Sequence, residues 1–429
     1  MDNYLLQEND FEILLENGSG SFLLEWSSAE KSYLYKIYTS AGVFITTWTD
    51  VVTPLNIKYD INGALSPLTI RLARPETGYG ENDDVKQGNR IKIYVFDKES
   101  GTSGVCVYSG LLVSYVPTVE GSEEYVDVVF YSHYWDLNNK ILLSGNDTEV
   151  TYNSYDPSDI MKDLLDRYSS LTGSILDYST STIETTGTSV SYTFNTDTYQ
   201  SAVKKVIELC PDGWYYRVEP DDLLYLKAEE VTPSHKFTIG KDIMSYTPEK
   251  KFDGIINTVY FRGGDTGGGV YLYKKYTNSS SVTAYGTRAT VLVDQRVTTT
   301  ATAQIMADRV LNEKSSPEIR VVIKILDSNN ENSLGYDIES IKVGQTCNIL
   351  NATSKGYNLW DEVFWDIDAW DFNITNAAGQ SLQIMSIDYY PNYAVLELSN
   401  KQPDIAKRIE DIDKNWKDNI TVDNPATPT

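Results

Sequence analysis

The alternation of apolar and polar residues is clearest between Phe252 and Asp327. Apolar residues between Thr300 and Glu313 recur at the spacing of one face of an amphipathic helix; they are Ala303, Met306, Ala307, Val310 and Leu311. Residues 319–326 instead alternate apolar and polar side chains, which predicts a strand with one buried face. Ahead of the helix, the pattern predicts a strand at 252–264 and a hairpin that pairs 270–276 with 289–297. We therefore expect a single helix that covers a sheet face or a barrel opening.

Residues 1–145 are predicted to be nearly all β. Turn residues such as Gly42 separate short alternating segments, and Pro117 opens a predicted turn at 117–121. Six or more strands at this close spacing are typical of a β-barrel or a β-sandwich. The predicted strands lie at 11–15, 22–25, 34–39, 43–48, 57–61, 68–72, 91–95, 105–115 and 125–131.

Residues 146–245 have a different pattern, which predicts a small α+β module. Asp156 and Pro157 form a helix start, because aspartate is a favoured N-cap and proline is favoured at the first helical position. A second helix is predicted at 199–210, and a hairpin at 213–227. The helices are expected to pack on that hairpin.

Residues 246–400 form a second predicted β domain, which contains a Trp-Asp pair at every fifth position. A period of five alternates faces on a strand and drifts around a helix, so this segment is predicted to be a projecting loop. Its tryptophans could stack on a sugar while its aspartates accept hydroxyl hydrogen bonds, or they could anchor a subunit interface or fold back on the chain. The six residues are Trp360, Asp361, Trp365, Asp366, Trp370 and Asp371.

Residues 401–429 are predicted to hold a C-terminal helix and a tail. The apolar positions of the helix are spaced by four, three and four residues, as in a coiled coil, although the segment is too short for that period to be decisive. The helix either docks on its own chain or joins copies of the chain. The positions are Ile405, Ile409, Ile412 and Trp416.

The chain is strongly acidic, with 61 Asp and Glu against 36 Lys and Arg, and a formal net charge of −25. Such a surface repels nucleic acid and anionic membranes. The negative charge either serves simple solubility or prevents the protein from holding polyanions that pass it. The 32 tyrosines and 8 tryptophans against 11 phenylalanines favour β structure with half-buried faces. No run of about 18 apolar residues occurs, so no membrane-spanning helix is predicted.

Catalytic chemistry finds little support in the sequence. A Ser-His-Asp arrangement needs a base beside a nucleophile, and the only two histidines, His133 and His235, are expected to be structural. Zinc-hydrolase and phosphate-loop patterns are absent, and the glycines at 263–269 predict a hairpin tip because no helix follows them. We expect no catalytic residue, no cofactor and no metal site. A pair of carboxylates for glycoside cleavage stays an open alternative, because so many acidic residues always offer pairs.

Several segments, taken in order, resemble the baseplate hub and tail-tip (minor tail) proteins of tailed bacteriophages. Residues 257–263, Asn-Thr-Val-Tyr-Phe-Arg-Gly, match an NxVxVxG strand with Phe261 in place of the second valine. A YG-R segment at 285–288, an alanine-rich helix and a late Val343-Gly344 turn without its usual proline follow. The front half shows matching patterns at 62–65, 72–75, 88–91 and 108–112.

The resemblance implies a mostly β chain with two tail-tube-like β-barrel domains and small α+β modules. With the patterns above it gives four regions: a barrel at 1–145, an α+β module at 146–245, a barrel at 246–400, and the C-terminal helix and tail. It implies a homotrimer whose six barrels form a pseudo-sixfold ring at the tail tip of a virion assembled in the host cytoplasm. The implied partners are distal tail, tape-measure, and tail-fibre or receptor-binding proteins, with DNA passing through the ring unbound.

Three functions follow in decreasing order of support. The first is a structural hub without an active site, which connects the tail tube to parts used in host attachment and genome ejection. The second is a carbohydrate-binding adhesin that uses the Trp-Asp loop. The third is a cell-wall hydrolase, for which no motif is present.

Overall fold

Strands predominate in the protein, whose computed structural model describes residues 11–14, 21–24, 32–73, 84–96, 104–121, 123–145, 148–327, 335–350 and 381–402. The first eleven strands are β1 (Phe11–Leu14), β2 (Ser21–Leu24), β3 (Ser32–Tyr38), β4 (Phe44–Trp48), β5 (Ile57–Asp60), β6 (Leu68–Leu72), β7 (Arg90–Phe96), β8 (Val105–Glu120), β9 (Glu123–Tyr131), β10 (Val150–Tyr155) and β11 (Val190–Phe194). The others are β12 (Trp214–Val218), β13 (Leu224–Ala228), β14 (His235–Thr238), β15 (Ile243–Lys251), β16 (Thr258–Asp265), β17 (Tyr271–Thr277), β18 (Ala289–Asp294), β19 (Glu318–Leu326), β20 (Thr346–Leu350), β21 (Leu382–Tyr390) and β22 (Tyr393–Ser399). The helices are α1 (Pro157–Ser169), α2 (Tyr199–Leu209), α3 (Ser279–Tyr285) and α4 (Thr300–Lys314), with short 3-10 helices at His133–Asn139 and Ile338–Ser340. The predicted class, mostly β with α+β insertions, is confirmed.

The first large sheet contains six strands in the order β4-β3-β7-β8-β9-β6. Its edges meet at one bridge between Val51 and Leu72, where the Val52 N–H also donates to the Arg71 carbonyl at 3.0 Å. The sheet therefore curls into a barrel that closes at this point. Every second residue of β7 is buried inside it, because side chains alternate between the two faces of a strand.

The second large sheet contains the order β14-β20-β21-β22-β19-β15. Its ends meet at a bridge between Ile239 and Ile243, so it also curls back on itself. β5, which the chain forms between two strands of the first barrel, pairs with β21 at 386–389. The buried apolar side chains of the two barrels form one continuous core.

The two barrels share one strand order. Numbered 1 to 6 along the chain, the strands of the first barrel are β3, β4, β6, β7, β8 and β9, and those of the second are β14, β15, β19, β20, β21 and β22. With this numbering, both barrels follow the cyclic order 1-4-5-6-3-2. All five ladders of the first barrel are antiparallel. In the second barrel the ladder between β14 and β20 is parallel, and the other four ladders are antiparallel. The barrels thus differ by the direction of their first strand.

A second core lies in the α+β part of the chain. The two-stranded sheets β10-β11 and β12-β13 and the helices α1 and α2 contribute to it, and so do α4 and the sheet β17-β16-β18. The predicted start of α1 is confirmed, because the Asp156 carboxylate accepts a hydrogen bond from the Ser158 N–H at 2.8 Å. The predicted apolar stripe of α4 is buried in this core.

The predicted hairpin between 270–276 and 289–297 is wrong. β16 is the central strand, with β17 antiparallel on one side and β18 parallel on the other. The connection from β17 to β18 contains α3, which carries the chain across β16. Alternation of apolar residues reveals which face of a strand is buried, but it does not reveal which strand is the partner.

The predicted turn at 117–121 is also displaced, because β8 continues through Pro117 to Glu120. The ladder with β7 ends at Leu111, and Leu112 exchanges backbone hydrogen bonds with Gly88 and Asn89. Beyond Leu112 the ladder of β8 is with β9. Proline lacks an N–H but can occupy a strand whose other edge is unpaired.

The division of the chain into four regions remains a prediction, and strand pairing crosses its boundaries. β5 and β14 both join the second barrel, although they belong to the first and second predicted regions. Residues 259–311 share the core of the α+β part. Among the described residues, no helix has the length and hydrophobicity needed to cross a membrane.

Candidate functional site

The six Trp-Asp loop residues and the four residues of the C-terminal helix lie outside the described residues. These are Trp360, Asp361, Trp365, Asp366, Trp370 and Asp371, and Ile405, Ile409, Ile412 and Trp416. Their predicted roles in ligand binding or subunit contact stay predictions. The geometry that can be described lies where the barrels meet the α+β part.

His133 lies in a cluster that contains the residue types of a catalytic triad. Its Nδ1 is 2.6 Å from Asp222 Oδ1 and 3.3 Å from Ser109 Oγ. Ser109 Oγ also donates to Asp222 Oδ2 at 3.2 Å, and Lys92 Nζ is 3.2 Å from the same oxygen. In a working triad the serine and the aspartate contact different ring nitrogens, whereas here both contact Nδ1. The cluster therefore does not have the geometry that activates a serine.

The cluster instead joins the first barrel to the turn of the β12-β13 hairpin. Asp222 sits in that turn with a left-handed φ of 66°, a conformation that aspartate tolerates better than most residues. Burial raises the pKa of the Asp222 carboxyl, but the hydrogen bond and charge of His133 and the charge of Lys92 outweigh it, so the pKa lies below its ordinary value. The aspartate is thus held ionised as a structural anchor.

His235 on β14 has partners on both ring nitrogens. Nδ1 is 2.8 Å from the Tyr336 hydroxyl and Nε2 is 2.8 Å from Gln345 Oε1. The ring also stacks on Phe237. This histidine ties the start of the second barrel to the segment that precedes β20.

The glycine-rich segment 263–269 runs from the end of β16 into the turn before β17, as predicted for a hairpin tip. Asp265 accepts hydrogen bonds from the Gly267 and Gly269 N–H groups at 2.8 and 3.1 Å. These two amides are therefore used within the turn. Among the described residues, no group of three or more His, Cys, Asp or Glu side chains could hold a metal ion.

Two segments that carry the sequence resemblance are in direct contact. The Asn257 side chain donates to the Gly286 carbonyl at 2.7 Å and accepts from the Arg288 N–H at 2.8 Å. Asn257 is fully buried, so these bonds fix the path from α3 into β18. At the other end of β16, a Cβ on Gly264 would lie 1.9 Å from the Gln295 carbonyl oxygen. Glycine there permits the close approach of the turn after β18.

Arg309 of α4 lies at the centre of a buried joint, with 2% of its surface exposed. Its Nη1 donates to the Ile207 carbonyl at 2.6 Å and its Nη2 to the Trp214 carbonyl at 3.0 Å. Nη2 also donates to Gln402 Oε1 at 2.8 Å, and Nε pairs with Glu313 Oε1 at 3.0 Å. A buried charge needs such partners, because an unpaired one is costly to desolvate.

Gln402 extends this joint to the second barrel and to the segment between β5 and β6. Its Oε1 accepts from Asn62 Nδ2 and its Nε2 donates to Gln383 Oε1 on β21, both at 3.4 Å. Asn62 follows β5 with a left-handed φ of 52°, and its backbone N–H and side-chain Oδ1 bond to the backbone of Tyr216 on β12 at 3.0 Å. The joint therefore links α4, β12, β21 and the segment after β5.

The joint contains two groups whose charged forms are disfavoured. Burial raises the pKa of Glu313 to about 7, although the charge of Arg309 opposes the shift. Burial, with a smaller contribution from the charge of Lys314, lowers the pKa of Lys401 to about 8.

Sequence reasoning missed Arg309, yet a signal was present. Thr302, Met306, Arg309 and Glu313 lie at spacings of four, three and four residues, so an Arg-Glu pair continues the buried face of the helix. All four are buried. Charged residues at i and i+4 are usually read as a solvent-exposed pair, which hides this case.

The sequence matches no known protein-family profile and no curated protein. Several solved structures match over most of the chain. The prophage tail protein gp18 from Listeria monocytogenes EGD-e has a TM-score of 0.54 at 12% identity, covering 90% of this chain and 99% of its own. The 43 kDa tail protein of prophage MuSo2 from Shewanella oneidensis has a TM-score of 0.52 at 12% identity, covering 85% of this chain and 98% of its own. A tail protein from Neisseria meningitidis MC58 has a TM-score of 0.52 at 13% identity, covering 86% and 97%. The resemblance predicted from the sequence is confirmed at the level of fold: the chain has the fold of phage tail proteins.

Proposed function

We propose that the chain is a structural hub protein of a phage tail tip or baseplate. Three copies form a ring that closes the tail tube. The ring connects to distal tail, tape-measure and receptor-binding proteins, and the chain performs no catalysis. The protein belongs to the virion, where the ring takes part in host attachment and genome ejection.

The observation that carries this proposal is the strand order shared by the two barrels. Two barrels of the same order can occupy equivalent positions around an axis. Three copies then provide six such positions, and a threefold assembly can match a sixfold tube. Closed cyclic symmetry of this kind is the usual arrangement of homo-oligomers.

The buried joint around Arg309 supports the same proposal. A ring with six equivalent positions requires a fixed angle between the two barrels of one chain. Gln402 contacts Arg309, Asn62 and Gln383 at once, so the hydrogen bonds bind β21 of the second barrel, and the segment that leads from β5 to β6 of the first barrel, to one helix. Such buried polar networks rigidify a structure when their members are satisfied.

The net charge of −25 suits a conduit for DNA. Like charges repel, and a ring lined with carboxylates would let a polyanion pass without binding it. The His133 cluster supports a role without catalysis, because its serine and aspartate share one ring nitrogen.

The mass of the protein in solution tests this proposal. Light scattering coupled to size exclusion is expected to give three copies of the 48.3 kDa chain, about 145 kDa in total. A species that stays monomeric over a wide concentration range would count against the ring.

A further inference from the structure

The sheet β17-β16-β18 has one buried face and one exposed face. The buried face packs in the core shared with α4 and carries Val259, Phe261, Leu272 and Leu292. We call the exposed side the tyrosine face, and it comprises Tyr260, Arg262, Tyr271, Tyr273, Lys275 and Val291. Tyr273 is 61% exposed and Val291 60% exposed, although both lie mid-strand. Exposed apolar and aromatic side chains that form a contiguous patch mark an interaction site.

The unit that carries this face has a charge opposite to that of the chain. Residues 258–297 contain five Lys or Arg and two Asp, a net charge of +3, whereas the whole chain has a net charge of −25. The rest of the chain therefore carries −28. The tyrosine face is a basic and aromatic surface on an acidic protein.

The cations of the face lie over its rings. The Arg262 guanidinium is 5.6 Å from the Tyr273 ring centre, and Lys275 Nζ is 5.6 Å from the Tyr260 ring centre. The cations remain able to pair with carboxylates. Tyrosine and arginine are also the residues that most often dominate protein–protein interfaces.

The face is held rigid from behind. At the end of β18, Asp294 Oδ2 is 2.6 Å from Lys205 Nζ of α2, and both side chains are about nine-tenths buried. Lys274 and Lys275 lie on the edge strand β17, and charges on an edge oppose the addition of another strand. Contact through the face is therefore favoured over contact through the β17 edge.

We propose that the tyrosine face binds an acidic surface of a second copy of this chain. The inference rests on the proposed function, because a ring requires each copy to bind the next through two different surfaces. Every copy carries one basic face and a broadly acidic remainder, so a head-to-tail contact uses the face once per copy. The basic face and the acidic remainder of the same chain are complementary in charge, which favours a second copy as the partner of the tyrosine face.

The test is a charge reversal on the face. The double variant Tyr273→Glu/Lys275→Glu changes the charge by −3, and so does the matched control Val231→Glu/Lys241→Glu on exposed residues elsewhere. We expect the face variant to weaken assembly by at least about 100-fold, which corresponds to about 2.8 kcal/mol and so to more than one interface hot spot, while the control assembles like the wild type. Circular dichroism and the thermal midpoint establish that the variant monomer is folded. If that variant does not fold, the single change Val291→Glu provides the same readout from another strand.

The outcomes separate the two proposals. A face variant that assembles like the wild type overturns this inference and leaves the proposed function standing. A wild type that is itself monomeric contradicts the proposed function, and the inference fails with it. Binding of a single-stranded DNA oligonucleotide by the wild type, abolished in the face variant, would assign the face to nucleic acid and overturn the inference as well.

Discussion

At the scale of single residues, the central feature is a buried charge that binds three parts of the fold. Arg309 donates to backbone carbonyls in α2 and in β12, and to Gln402, which contacts β21 of the second barrel and the segment between β5 and β6. Removing one partner of a buried pair costs more than the pair contributes, because the other charge remains desolvated. The joint is therefore a place where the packing of α4 against β12 and the second barrel depends on a few side chains.

The ionisation of Glu313 gives the joint a pH dependence. Its pKa is raised from 4.5 to about 7 in the folded chain, so its contribution to stability is complete below about pH 4.5 and is lost as the pH rises through 7. The variant Glu313→Gln lacks this loss. We expect the free energy of unfolding of the wild type to fall by up to about 3 kcal/mol relative to the variant between these pH values. Urea unfolding at a series of pH values measures the difference.

The exposed Glu249→Gln provides the control, since Glu249 lies on the outer part of β15. Its curve should run parallel to that of the wild type. Parallel curves for Glu313→Gln and the wild type would mean that Glu313 is not ionising within the joint in this range.

At the scale of elements, the sequence predicted most strands and three helices, because periods of two and 3.6 residues report burial directly. It predicted the hairpin of β12 and β13, but it did not predict the partners of β16, which is the central strand of its sheet. It also missed α3, a short helix of seven residues that begins at Ser279 and has little apolar pattern. The burial of Arg309 was not predicted for a related reason, because a buried charge depends on carbonyl groups that are remote in sequence.

The glycines that close β16 allow a direct test of its packing. In Gly264→Ala the added Cβ would meet the Gln295 carbonyl oxygen, a backbone atom that cannot move aside easily. We expect a loss of roughly 2–3 kcal/mol in the free energy of unfolding, as for other overpacked sites. Chemical denaturation measures it.

Gly254→Ala is the matched control, because no atom lies within 4 Å of a Cβ placed there. It should change stability little. An equal effect of the two substitutions would contradict the close approach of the β16 end to the turn after β18.

At the scale of the whole molecule, the presence of two tail-tube-like barrels was implied only by the resemblance to tail proteins, and their shared strand order was not predicted. Hydrophobic patterns predicted a barrel or a sandwich at 1–145 but could not order the strands. Pairing between β5 and β21 further ties the barrels together, and nothing local in residues 57–60 indicates it. Long-range pairings of this kind are set by the whole fold.

The most direct measurement of the central claim is the symmetry of the assembled particle. Purified protein is imaged by electron microscopy, and end-on views are averaged without imposed symmetry. We predict a ring with threefold symmetry whose inner wall repeats six times, because two barrels of one strand order alternate around the axis. A particle without threefold symmetry, or a threefold ring in which only one barrel of each chain reaches the wall, would contradict the account.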